Sequence, residues 1–349
     1  MSTSVRAPAP STPAEVAPLP LPRGPVSAAV VSALRDEPGR TTLPSDVAPL
    51  DPYGDDLQLT LQVCYELHYR GFSDAAPDWE WDPELLRLRS ELEARFLTAL
   101  RADVPGRGRD TDVEGTLDEL LVEPVHGSGP SHWLRDEGTW EQLREYFALR
   151  SIYHLKEADP HAWAIPRLRG QAKAALVAVE FDEYGGGRHD RMHSRLYADL
   201  LDAAGLRSDY LGYLDQAPPQ ALATVNLMSL FGLHRTLRAA LVGHFAAAEI
   251  STAPSASRMV QAIDRLGAPE ACRFFFSEHV EADAVHEQVM RHEVIGDLLR
   301  HEPDLAADVV FGIQATELLE AHLADHLMSH WRRGLPTIPL ETEVTDPAR

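Results

Sequence analysis

The sequence predicts an all-α fold, and three observations indicate it. From Asp55 onward, long stretches place apolar residues at every third or fourth position, as in LQLTLQVCYELHY (57–69) and PELLRLRSELEARFLTALR (83–101). This spacing is typical of amphipathic helices. Runs of alternating β-branched residues are nearly absent, so we expect no sheet. Several stretches reach about 20 residues, which favours a bundle of long helices.

Start signals for helices recur along the chain. Pro83 follows Asp82, Pro166 lies in a first turn, and Pro269 precedes Glu270. Proline suits the first helical position because its missing N–H has no partner there. The same periodicity predicts further helices at 113–122, 138–157, 167–184, 189–204, 219–248, 255–265, 269–300 and 303–333.

The first 50 residues differ in composition from the rest of the chain. Prolines stand at positions 8, 10, 13, 18, 20, 22 and 25. They remove backbone donors and block helix growth. We therefore predict a mostly disordered tail over 1–50, with at most a short helix at 26–34. A helical domain would follow over 51–335, and an irregular C-terminal tail over 336–349.

Charge and composition exclude several function classes. The chain has 32 Lys and Arg against 54 Asp and Glu, a net charge of −22. Nucleic acid and anionic membrane surfaces would be repelled, so neither is an expected partner. Cys64 and Cys272 form no disulfide framework and no thiolate metal site. No signal-peptide pattern and no span of about 18 apolar residues is present, so we expect a cytoplasmic protein.

The stretch HVEADAVH places His279, Asp283 and His286 on one helical stripe. Positions four and seven residues further on lie within about 40° of the first. The two histidines lie roughly 10 Å apart along the axis, which suits two ions about 4 Å apart. Asp-x-x-His is also the aspartate version of a two-metal pattern of helical bundles. A solvated polar face is the competing interpretation, but Phe275 and Val280 supply apolar bulk, so we expect burial.

Two other segments supply acids and an imidazole. In EFDEYGGGRHDRMH, Glu180 and Glu183 lie one turn apart at the end of an apolar helix. The glycines at 185–187 interrupt that helix before His193 opens the next one, so a carboxylate and an imidazole can converge. In HLKEADPHAWAIPRLRG, Glu157 lies near the end of a helix. A lone glutamate of this kind is more often a surface residue.

Together, these residues resemble the haem-oxygenase-like diiron oxidases, a family of iron-containing redox enzymes. The resemblance covers roughly residues 130 to 300 and rests on three separated motifs in the family's order. It implies a haem-oxygenase-like helical bundle in which a non-haem diiron centre activates O2. The metal ligands that it implies are Glu157, Glu183, His193, His279, Asp283 and His286. Glu180 is an alternative to Glu183, or a partner that supports it.

The resemblance also implies cofactors and partners. It implies two Fe(II) ions per chain, with manganese as an alternative, and mixed nitrogen and oxygen ligands suit both metals. The substrate would be a small amino acid, amine or fatty acid oxidised with O2, with electrons from an external donor, and a homodimer is compatible with this function. Two alternatives stay open. They are a metal-dependent hydrolase that uses the same cluster, and a haem-oxygenase-like binding protein without catalysis.

Overall fold

The computed structural model describes residues 16–122 and 127–340, without the side chains of 281–284. All regular structure within these residues is helical, so the predicted all-α class is confirmed. The α-helices are α1 Pro25–Leu34, α2 Asp55–Glu66, α3 Pro83–Asp103, α4 Val113–Leu120, α5 Pro130–Asp136, α6 Trp140–His154, α7 Asp159–Ala162, α8 Gly170–Glu183, α9 His193–Ala203, α10 Pro219–Leu233, α11 Arg238–Leu266, α12 Glu270–Gln288, α13 Gly296–His301 and α14 Ala306–Trp331. A π-helix, Val289–Ile295, joins α12 to α13.

Short 3-10 turns complete the connections. They lie at Pro77–Trp81, Pro105–Gly108, Ile165–Arg167, Gly185–Gly187, His189–Arg191, Arg235–Leu237 and Pro303–Leu305. No helix in the described ranges is both long and apolar enough to span a bilayer.

Local sequence explains several helix ends. At the start of α3, the Asp82 carboxylate accepts a hydrogen bond from the backbone N–H of Leu85 at 2.9 Å. Thr139 and Gln142 form a reciprocal capping box at the start of α6. Gly267 adopts a left-handed φ of 65° at the end of α11, a conformation that other residues rarely adopt. These ends could be predicted because their signals are local.

Helix α11 lies at the centre of the bundle, where it packs against α12 on one side and α14 on the other. The crossing of α11 and α14 is very close. A Cβ atom added at Gly243 would lie 2.0 Å from the carbonyl oxygen of Val309, and one at Gly312 would lie 2.0 Å from that of Ala240. Only glycine fits at these two positions, so the crossing depends on both of them.

Residues 16–50 pack onto the bundle, which corrects the tail predicted over 1–50. The short helix expected at 26–34 is α1, whose Val30 and Leu34 are fully buried beside α2. The Asp56 carboxylate accepts a 2.7 Å hydrogen bond from the backbone N–H of Ser27. Apolar side chains on both sides of α1, including Leu19 and Leu43, are buried in the core. Residues 1–15 lie outside the described part of the chain.

At the other end, residues 336–340 belong to the packed structure. Ile338 is buried, and the Thr337 hydroxyl donates a 2.6 Å hydrogen bond to the Glu145 carboxylate on α6. This contact extends the helical domain beyond the predicted boundary at 335. The remainder of the predicted C-terminal tail, 341–349, lies outside the described residues.

The helix boundaries predicted between 219 and 265 are wrong in two places. The helix predicted over 219–248 is two helices, because His234 is extended (φ −103°, ψ 112°) and ends α10. Helix α11 then continues through Pro254, where a break was predicted. Pro254 removes the N–H that would bond the carbonyl of Ile250. The packing of α11 against two neighbouring helices outweighs that loss.

Candidate metal centre

Two groups of side chains among the described residues have the composition and spacing to hold a metal ion each. The Glu157 group consists of Glu157, His193 and His279, and the Glu183 group consists of Glu183, Glu249 and His286. In each group the three ligand atoms lie within 4.8 Å of one another, and every side chain is buried.

The Glu157 group draws on three separate elements. Glu157 follows the end of α6, His193 is the first residue of α9, and His279 lies in the middle of α12. His279 Nδ1 lies 2.8 Å from the carbonyl of Phe275 and donates its proton there. Nε2 lies 3.9 Å from Glu157 Oε1 and is therefore the nitrogen that a metal ion would bind. The carbonyl of Phe275 fixes the orientation of the ring for that role.

Glu157 is held as an anion by its neighbours. His154 Nδ1 lies 2.9 Å from Glu157 Oε2, while Oε1 faces His279. Burial opposes ionisation of Glu157, but His154 and His279 outweigh it and hold the pKa of this carboxyl well below its usual range. The carboxylate thus needs to lose no proton before it coordinates a cation.

The Glu183 group is richer in carboxylates. His286, near the end of α12, has its Nδ1 2.9 Å from Glu249 Oε2 and 3.7 Å from Glu183 Oε1. Its Nε2 lies 3.2 Å from Asp182 Oδ2. Burial lowers the pKa of His286, but the hydrogen bond and charge of Glu249, together with Glu183 and Asp182, raise it to about 9. A metal ion would have to displace a proton here.

Glu183 connects the two groups. Its Oε2 lies 2.8 Å from His193 Nδ1, and its Oε1 faces His286. The three glycines after α8 make this possible, because all of them have left-handed φ angles between 62° and 78°. A Cβ atom added at Gly185 would lie 2.5 Å from the backbone carbonyl carbon of Arg191. The tight turn brings the end of α8 and the start of α9 together.

The structure brings five of the six predicted ligands into this one region. They are Glu157, Glu183, His193, His279 and His286. The side chain of Asp283 lies outside the described part, although its backbone belongs to α12 between the two histidines. The role of all six as ligands remains a prediction.

Sequence reasoning missed Glu249. This residue lies in α11, 7% exposed, and completes the Glu183 group. The available signal was an acid inside the apolar helical stretch HFAAAEI, where a buried charge needs a partner. Nothing in the local pattern indicates which residue that partner is.

Glu180 provides a test of whether a cation fits here. It is 2% exposed, and neither carboxylate oxygen has a hydrogen-bond partner among the described residues. Burial, reinforced by the charges of Glu183 and Glu249, raises its pKa to about 9. A buried carboxyl group without a partner is costly unless it is protonated or lies beside a cation. The concentration of acids around Glu180 therefore fits a metal ion. The spatial grouping places Glu183, not Glu180, with the other ligand atoms.

A cavity of about 350 Å³ opens beside both groups. Its lining includes Glu157, Glu183, Glu249 and His279, together with Arg150 and Glu320. Phe275, Phe276 and Met228 supply apolar surface to it. This volume suits a small organic molecule placed next to the candidate metal ligands.

Comparison with known proteins identifies the class. The family model described as "iron-containing redox enzyme" matches residues 144–321, about half of the chain, and the chain belongs to that family. The description of that family names iron and a redox activity. A nitrosourea synthase from Streptomyces achromogenes subsp. streptozoticus is 27% identical over 166 residues. Those residues are 47% of this chain and 35% of that relative, so the match spans about a third of the relative's length.

Proposed function

We propose that this chain is a non-haem diiron oxidase that uses dioxygen to oxidise a small organic substrate. The observation that carries the proposal is the position of Glu183, whose two oxygens face His193 in one group and His286 in the other. Two groups joined by one carboxylate are what a pair of ions about 4 Å apart requires. Imidazole and carboxylate donors suit iron, with manganese as an alternative.

Each side chain has a distinct part in this proposal. The Glu157 group would hold one ion and the Glu183 group the other, with the two oxygens of Glu183 facing both groups, and Asp283 would complete the set. When bound, two ferrous ions would supply electrons and open coordination positions to dioxygen. His154 fixes the orientation of Glu157 through its second oxygen, and Asp182 does the same for the ring of His286.

The substrate would enter the cavity beside both groups. An amino acid, an amine or a fatty acid is compatible with oxidation at this place. The name of the relative, nitrosourea synthase, denotes a product that carries a nitroso group, which favours a nitrogen-bearing substrate. Phe275 and Phe276 line this cavity and would limit the access of water to a bound substrate. An external electron donor would return the iron to the ferrous state.

The test is anaerobic loading of the metal-free full chain with Fe(II), followed by exposure to dioxygen. We expect two bound irons by metal analysis and dioxygen uptake in a sealed electrode cell. His286→Ala should bind at most one iron with an unchanged helical circular dichroism signal. Iron-loaded protein that takes up no dioxygen but cleaves ester or amide probes would contradict the proposal and favour the metal-dependent hydrolase.

A further inference from the structure

We propose that the cavity beside the candidate metal centre binds its substrate through a cationic nitrogen group, and that Glu320 is the residue that recognises this group. The inference rests on the proposed function, because it names the substrate class for the same site. It follows from an account of the hydrogen-bond donors and acceptors that line the cavity.

Glu320 lines the cavity together with Glu157 and Glu249 but belongs to neither metal-ligand group. It accepts two hydrogen bonds from Arg150, with Nη1 to Oε1 at 2.7 Å and Nη2 to Oε2 at 2.5 Å. A carboxylate oxygen has two lone pairs, so each oxygen keeps one acceptor position. The Glu320 side chain is 36% exposed, which leaves these positions within reach of a ligand.

Each of the two guanidinium groups of the cavity has a partner in the protein. Both terminal nitrogens of Arg150 donate to Glu320, as described above. Arg258 donates through Nε to the Ser131 hydroxyl at 3.0 Å. A carboxylate ligand that displaced Glu320 from Arg150 would leave the Glu320 charge without its partner.

Three neutral side chains of the lining, Thr316, His244 and Tyr153, pass their hydrogens along one directional chain. The Thr316 hydroxyl donates to the carbonyl of Gly312 at 2.8 Å, so its oxygen accepts the proton of His244 Nδ1, also at 2.8 Å. His244 Nε2 then accepts from His161 Nε2 at 3.1 Å. His161 Nδ1 is left as the acceptor for the Tyr153 hydroxyl at 3.5 Å. Every hydrogen in this chain is used inside the protein.

Acceptors, in contrast, remain available along the α11 side of the cavity. The hydroxyls of Ser251 and Thr252 each donate to a backbone carbonyl one turn earlier, at 2.7 Å, so their lone pairs are left over. Both residues line the cavity. Pro254 also removes the N–H that would bond the carbonyl of Ile250. This stretch of α11 therefore supplies acceptors and few donors.

A ligand that brings its own donors can use the acceptors of Glu320, Ser251 and Thr252. An alkylammonium or alkylguanidinium group brings several N–H donors and a positive charge that complements the Glu320 carboxylate. A fatty-acid carboxylate brings only acceptors and would meet the charge of Glu320. The cavity therefore selects a nitrogen cation over a carboxylate of the same length.

The test compares four probes that share a six-carbon chain: hexylamine, hexylguanidine, hexanoate and hexanol. Isothermal titration uses the Fe(II)-loaded full chain under anaerobic conditions and, in parallel, the metal-free chain. At least one of the two cations should bind about tenfold or more tightly than hexanol and hexanoate, as a charge-assisted hydrogen bond would give. Equal or tighter binding of hexanoate would overturn the inference.

Two variants localise the effect. Glu320→Gln should bring the cations to the affinity of hexanol and leave hexanol binding unchanged. Asp325→Asn, on the same helix but at a different cavity, should keep the cation preference. A preference that survives in Glu320→Gln contradicts the assignment. If that variant misfolds, the double variant Arg150→Met with Glu320→Met leaves no unpaired charge and should show the same loss.

Iron content measured in the same samples separates the two proposals. Absence of bound iron would contradict the diiron function, while the metal-free titration would still test Glu320. Two bound irons without a cation preference would contradict this inference alone.

Discussion

The Glu157 group and the Glu183 group differ in charge and in their distance from solvent. The first combines one carboxylate with two imidazoles, and the second combines two carboxylates with one imidazole. His279 is oriented by a backbone carbonyl, whereas both nitrogens of His286 face acids, one of which, Asp182, has a side chain that is 61% exposed. One helix, α12, thus contributes a histidine to each of two electrostatically different sites. A metal ion that binds at the Glu183 group must displace the proton of His286, and the partly exposed Asp182 connects His286 with the surface.

The segments that carry Glu157 and Glu183 are also held in place differently. Lys156, next to Glu157, is 1% exposed, and its Nζ lies 3.3 Å from the fully buried Glu66 carboxylate. Glu183 is followed by three glycines. A 2.9 Å hydrogen bond from the Tyr184 hydroxyl to Asp159 ties the two segments together. The Glu157 segment is thus braced by a buried ion pair, while the Glu183 segment depends on a turn.

The largest effect is expected where the two groups meet. Glu183→Ala should weaken the binding of both ions by more than about a hundredfold, because its oxygens face both groups. Metal analysis after equilibrium dialysis with Fe(II) measures this. Asp199→Ala, a partly exposed acid on α9 that pairs with Arg195, is the matched control and should retain both ions. A Glu183→Ala protein that keeps two irons would contradict the assignment of Glu183 to both groups.

Glu249→Gln should separate the two groups. Glu249 belongs only to the Glu183 group, so the variant should lose one ion and keep the other. The same dialysis experiment gives the stoichiometry, and Glu287→Gln on α12 serves as the control. Loss of both ions, or of neither, would show that the groups are not separate sites.

The pH dependence should differ between the two binding steps. Because the pKa of His286 is raised to about 9, binding at the Glu183 group should strengthen about tenfold per pH unit and level off above pH 9. In the metal-free protein, the same shift stabilises the fold fully below pH 6.5, and this contribution is lost as pH rises through about 9. Mn(II) titrations between pH 6.5 and 9 test the first statement, and two steps without pH dependence would contradict it.

Removal of the buried ion pair between Lys156 and Glu66, next to Glu157, should give the smallest change in metal binding. Lys156→Met leaves Glu66 buried without its cation and should destabilise the protein by about 3 kcal/mol in urea unfolding. The double variant with Glu66→Met should recover most of that stability. It should still weaken the ion at the Glu157 group by about tenfold and leave the Glu183 group unaffected, because the segment next to Glu157 is no longer held. Equal weakening of both ions would argue against a local brace.

Much of the fold was predictable, because its signals are local. Helices α3 and α12 follow from apolar spacing and from Pro83 and Pro269 near their starts. The sequence does not predict the break at His234, because no proline stands there and Gly232 lies inside α10, and Pro254 is a false stop signal. Residues 16–50 were assigned to a tail from their composition, although their apolar side chains pack onto the bundle.

By itself, the sequence determined the helical class and the stripe on α12. Periodicity and side-chain direction within one helix do not depend on the rest of the fold. The turn of three glycines between Glu183 and His193 is equally local. Only the tertiary structure decided that Glu249 of α11 faces His286, and that Arg150 holds Glu320 at the edge of the cavity. These pairs are 37 and 170 residues apart, and the packing of whole helices, which no local pattern encodes, sets their distances.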